Sequence, residues 1–93
     1  MKYEYAGNSL NIELLRDFNL LTSRQVEHLA AKAEVVTIDL SNAKIVDSES
    51  IAVLYKLIKA GKIIYLQHPP EILAEVIEVL GLGEVLDLEK MVV

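Results

Sequence analysis

Residues 35–67 constrain the fold more than any other part of the chain. Val35-Val36-Thr37-Ile38-Asp39-Leu40-Ser41 is a short, β-branched apolar run. It reads as a buried strand, being far too short to span a membrane. After Ile45-Val46-Asp47-Ser48-Glu49-Ser50, residues Ile51, Leu54, Tyr55 and Ile58 fall at i, i+3, i+4 and i+7. That spacing stacks them on one helical face, and Gly61 suits the position just past the helix end. Lys62-Ile63-Ile64-Tyr65-Leu66-Gln67 is another apolar run and reads as a second buried strand. A strand, a crossover helix and another strand make a βαβ unit, expected to be parallel and right-handed.

Asp47-Ser48-Glu49-Ser50 stands where the helix starts. The first turn of a helix has backbone N–H groups without intrahelical partners and a partial positive charge. Short oxygen-bearing side chains cap it, and a phosphate is well received there. Ser48 therefore has two readings: an N-cap, or neighbour of the cap Asp47, and a site for a phosphoryl group.

Elsewhere the pattern is equally local. Tyr3 and Tyr5 alternate with Lys2 and Glu4, which suggests a half-exposed first strand. Gly7-Asn8 supplies a turn, and Leu10, Ile12 and Leu14 alternate with polar residues in a second strand, giving an antiparallel hairpin. Residues 16–21 read as a connection. Thr22-Ser23-Arg24-Gln25 has the capping-box pattern, with Thr22 as cap, ahead of a helix that buries Val26, Leu29, Ala30 and Ala33. After His68-Pro69-Pro70, a third helix buries Leu73, Val76, Ile77 and Leu80, exposes Glu75 and Glu78, and ends at Gly81. Val85-Leu86-Asp87-Leu88 reads as a final short strand or an irregular tail.

Ninety-three residues mean one domain, with a modest core. Few aromatics among 53% hydrophobic residues make that core aliphatic. The net charge of −5 and the lack of a basic stripe argue against nucleic acid as a partner. Lys56, Lys59 and Lys62 read as complements to the dipole at the end of the central helix. Without cysteine there are no disulfides or thiolate metal sites. No apolar run approaches membrane-spanning length and the first residues have no signal-peptide core, so direct membrane insertion is not expected and a cytoplasmic location is.

The run Val36-Thr37-Ile38-Asp39-Leu40-Ser41, followed by Ile45-Val46-Asp47-Ser48 and an apolar helix, resembles the STAS domain family, the bacterial anti-sigma-factor antagonists and their relatives. The family pattern is a strand ending in Asp-Leu, a few residues, then Asp-Ser-x-Gly-Leu opening a helix. The proline-bearing turn after Leu66 and the helix ending Leu80-Gly81-Leu82 extend the resemblance over nearly the whole chain. The resemblance implies a single α/β STAS-like domain over residues 1–93, a mixed sheet with an N-terminal hairpin, parallel βαβ units and about three main helices. In the antagonists the serine after that aspartate is phosphorylated by a partner kinase that is itself the anti-sigma factor, which points to Ser48 here. A partner-binding surface of Asn19, Thr22, Asp47, Ser48, Glu49 and Ser50 follows, with a kinase-type anti-sigma factor or related regulator as partner. This chain has Ser50 at the family glycine, Glu49 after the phosphoacceptor, and Asn19 where the family has an aspartate ahead of the first helix. The resemblance leaves a second role open: a constitutive scaffold, like the small STAS subunit of a lipid-transport ABC complex or a stressosome-like component, in which Ser48 is only a cap.

Enzyme chemistry finds little support. Ser48 and His68 both follow parallel strands, with Asp39, Asp47 and Glu71 as nearby acids, but there is no Gly-x-Ser-x-Gly elbow. His28 and His68 have no ligand spacing around them, and Gly61-Lys62 lacks the rest of a phosphate loop. No catalytic residue, metal or cofactor is expected.

Overall fold

The computed structural model describes all residues, Met1–Val93. Strands β1 (Lys2–Ala6) and β2 (Ser9–Glu13) form the hairpin, followed by α1 (Leu20–Ala30), β3 (Val35–Asp39), α2 (Ser48–Lys59), β4 (Ile63–Gln67), α3 (Ile72–Val79) and the short α4 (Leu88–Met91). The sheet order is β1-β2-β3-β4. β1 and β2 are antiparallel, whereas β2, β3 and β4 are parallel. The chain is thus a small α/β domain with a mixed sheet and helices packed on it.

Register follows from the side-chain pattern. Leu10, Val36 and Ile64 lie abreast, as do Ile12, Ile38 and Leu66, and all six are buried. A slip of one residue would turn this apolar row to solvent, so burial fixes the pairing. The intervening rows, Asn11-Thr37-Tyr65 and Glu13-Asp39-Gln67, lie on the opposite face and are half-buried or exposed. β3 and β4 read from sequence as strands buried throughout. Instead the helices cover one face, and Thr37, Asp39, Tyr65 and Gln67 keep the other wettable. Parallel sheets are ordinarily covered on both faces, so this open face is unusual.

The core is aliphatic around one aromatic, Phe18, which is fully buried with Leu10, Leu14, Ile38, Leu40 and Leu54. α2 contributes Ile51, Val53, Leu54 and Leu57, and α3 contributes Leu73 and Ile77. Gly61 has φ +89°, where a side chain would be strained, and it closes α2 with paired bonds. Its N–H donates to the Ile58 carbonyl and the Lys62 N–H donates to Leu57, at 3.0 and 3.1 Å. Gly81 ends α3 in the same way.

Other expectations about the elements are corrected. All of β1 is exposed rather than half-exposed. α1 begins three residues early: Asn19 is its cap, and Thr22 occupies the third helical position of the capping box. Asn19-x-x-Thr22 and Thr22-x-x-Gln25 both offer capping chemistry. Leu20 and Leu21 are exposed, so apolar periodicity could not mark the true start. Finally, residues 85–88 are neither strand nor loose tail. Leu86 plugs the core, Asp87 caps α4 through the Glu89 N–H at 3.1 Å, and Val92 forms a single parallel bridge to Leu66 on the outer edge of β4.

Candidate functional site

The site is built where the starts of α1 and α2 meet. Asp47 has extended backbone geometry, and its Oδ1 accepts the Ser50 N–H at 2.9 Å, capping α2. Its other oxygen accepts the Leu20 N–H at 3.0 Å. One carboxylate therefore holds the first turns of two helices, both positive ends of dipoles. Asn19 completes the start of α1: its side chain accepts the Leu21 and Thr22 N–H groups at 3.0 and 3.2 Å. The Thr22 hydroxyl accepts the Asn19 N–H at 2.9 Å and donates to the Asp17 carbonyl at 2.7 Å.

Below this, two loops run side by side. Phe18 and Val46 form a parallel bridge: the Phe18 N–H donates to Ile45 at 3.1 Å and the Asp47 N–H donates to Phe18 at 3.2 Å. The Asp17 carboxylate accepts the Lys44 and Ile45 N–H groups at 2.8 and 3.0 Å. The Ile45 bond, then the Lys44 bond, hold the Asp17 carboxyl below its ordinary value of 3.8. A depressed folded-state pKa stabilises above the unfolded value and is lost as pH falls through the folded one. Asp17 therefore contributes fully at about pH 5 and loses its contribution below about pH 4. Urea titrations across that range should find a smaller loss of stability on acidification in Asp17→Asn than in the parent. Equal slopes would exclude this role.

The side chains of the site divide by exposure. Ser48 and Glu49 are the first helical residues of α2 and both are exposed. The backbone N–H groups of these two residues have no acceptor within the chain. Asn19 and Asp47 are half-buried. Thr22 and Ser50 are buried, which corrects their expected place on the partner-facing surface. Ser50 donates its hydroxyl to the Asp47 carbonyl at 2.7 Å, so it packs beneath the cap that it helps to hold. A glycine at this position would leave that bond unmade.

A groove of about 280 Å³ lies beside Ser48, lined by Ile72, Glu75, Val76, Val79 and Leu80 of α3 and its end. Val79 is 85% exposed, and Leu80, expected in the core, is instead 42% exposed, since it caps the end of α3 rather than continuing its buried face. This apolar patch had no separate signal in the sequence. Val79 reads as one more residue of an apolar helix, and only its position beside Ser48 marks it.

His68, at the carboxyl edge of the sheet, adopts φ +52° and places Nδ1 3.3 Å from Asp39 Oδ1. Neither bonds Ser48. The Asp39 carboxyl is held below its ordinary value by the Ser41 N–H first, with His68 a smaller contributor, against partial desolvation.

Removing the shared cap should be costly. Asp47→Ala is expected to destabilise the fold by about 1–3 kcal/mol, above the ~1 kcal/mol typical of a single cap, because two N–H groups lose their acceptor. Asp47→Asn keeps an oxygen for only one of them and should fall between. Urea unfolding of the two variants measures this, and equality of Asp47→Ala with the parent would refute the double cap.

Fold and site define a small mixed-sheet α/β domain with an exposed serine at a helix start whose capping carboxylate also holds the start of a second helix. Among solved structures, the NMR structure of the protein TM1081 is similar, with a TM-score of 0.65 at 17% identity, covering 89% of this chain and 74% of that one. The likeness is one of fold. No protein-family model and no curated protein matches the sequence.

Proposed function

We propose that the chain is a STAS-type regulatory domain of the cytoplasm that acts by binding another protein, most simply as an anti-sigma-factor antagonist, with phosphorylation of Ser48 controlling release. The observation that carries this is the exposed Ser48 hydroxyl at the first turn of α2, next to the apolar groove of α3. A kinase-type regulator needs a reachable hydroxyl, and a protein partner needs an apolar anchor site beside it. Phosphorylation adds about −1.5 to −2 charge. The free N–H groups of Ser48 and Glu49 favour that charge locally, while Asp47, Glu49 and Glu75 surround it with like charge. A partner seated on the groove then faces a repulsive rim.

The test is to incubate the protein with candidate kinase-type anti-sigma factors and ATP and to map modification by mass spectrometry. The expected product carries phosphate on Ser48, is absent in Ser48→Ala, and no longer binds the partner. The apolar groove also fits the scaffold reading, in which the partner stays bound whatever the state of Ser48. Unmodified Ser48 in a stable complex would select that reading.

A further inference from the structure

The two edges of the sheet are unequal. β4 is covered at Leu66, which pairs with Val92 and accepts the Val93 N–H at 3.0 Å. β1 has no such cover: beyond its pairing with β2, no backbone bond involves residues 1–7. The two-residue turn at Gly7-Asn8 joins Ala6 to Ser9. In such a hairpin the flanking pair is hydrogen-bonded, so Lys2, Glu4 and Ala6 point their backbone groups at β2. Met1, Tyr3 and Tyr5 direct theirs outward. An edge of this kind is a template for another strand.

We propose that β1 pairs with β1 of a second copy of this chain, antiparallel about a two-fold axis through Tyr3. The charges select both the occupant and the register. Outward groups on odd-numbered residues restrict the axis to a few positions. An axis at Lys2 sets Lys2 against Lys2, and one at Glu4 sets Glu4 against Glu4. The axis at Tyr3 alone sets Lys2 against Glu4 twice, with Tyr3 against Tyr3 and Met1 against Tyr5. Opposite charges directly across a strand pair attract, and like charges repel. A two-fold contact requires such self-complementarity.

Side chains on the two faces agree with this arrangement. Lys2 and Glu4 lie abreast of Glu13 and Asn11, on the open face, where their pairing is unobstructed. On the helix side, Tyr3 and Tyr5 are 53% and 39% exposed and stack edge to face, 6.1 Å between centroids. The Tyr5 hydroxyl donates to the Leu29 carbonyl at 2.6 Å, which fixes the strip against α1. A hollow of about 490 Å³ lies between β1 and α1, bounded by Met1, Tyr3, Arg24, Gln25, His28 and Leu29. The rings of the second copy arrive over it. The result is one sheet running through both copies.

The edge is short, so association belongs at the weak end of the range for specific contacts. Sedimentation velocity on the full chain, to about 1 mM, should reveal a reversible dimer. Lys2→Glu and Glu4→Lys should each weaken it by about tenfold or more, with circular dichroism unchanged. Mixing these two variants restores opposite charges across the axis and should restore dimers, now as a heterodimer. The double variant Lys2→Glu/Glu4→Lys should self-associate like the parent. A parent chain that stays monomeric throughout, or a dimer indifferent to the charge reversals, would overturn the proposal. So would variants that fail to rescue each other.

Discussion

Phe18→Ala is expected to destabilise the protein by about 3–5 kcal/mol, the largest effect of any single substitution argued from this structure. Phe18 is the biggest of the fully buried side chains. Its backbone also stitches the two loops beneath the site, donating to Ile45 and accepting from Asp47. Truncation removes both transfer energy and packing, since a close-packed core collapses only partly into the void left behind. For domains of this size the whole stability is about 5–15 kcal/mol, and each kcal/mol shifts Tm by about 4–8 °C. A drop of more than about 12 °C in calorimetry is the expected result. Phe18→Leu refills most of the volume and should recover the larger part of it. A Phe18→Ala protein with parental Tm would mean that the ring does not hold the core.

The second large effect concerns binding and rests on the proposed function. Protein phosphorylated on Ser48 should bind its partner about 100-fold more weakly than the unmodified form. Like charges juxtaposed at an interface cost several kcal/mol, and 1.4 kcal/mol is tenfold in affinity. Ser48→Ala should bind normally. Val79→Asp provides the independent arm: that side chain stands 85% exposed, so stability should hold within about 0.5 kcal/mol. Partner binding should nonetheless fall, because the groove gains a buried charge. Titration calorimetry on these three proteins beside the unmodified parent reads the affinities, and urea unfolding reads the stability of Val79→Asp. Phosphorylated protein with undiminished affinity, beside a weakened Val79→Asp, would leave the groove as a docking surface and remove the switch.

The central βαβ unit was legible because its signals are short-range and agree. Periodicity, the Asp47 cap and the Gly61 stop all mark one helix between two apolar runs. The start of α1 was not, because two overlapping capping patterns compete and the exposed Leu20 and Leu21 blur the apolar face. The open side of the sheet was hidden for a different reason. Val35, Val36, Ile63 and Ile64 make an unbroken apolar beginning to each strand, and the polar members of the same strands look incidental until the register aligns them. For the site, Ser48 and Asp47 could be singled out from local chemistry. The burial of Thr22 and Ser50 could not, since short hydroxyl side chains serve equally well above a helix start or beneath it. Nor could the link from Asp47 to Leu20, which joins residues distant in sequence.

That link bears on how any signal at this place must be read. With one carboxylate fastening two helices and Ser50 locked underneath, the ground around Ser48 has no slack to take up. A modification there would relabel the surface without reshaping it. The two forms should then look alike in backbone geometry and differ only in the electric field that an approaching protein meets.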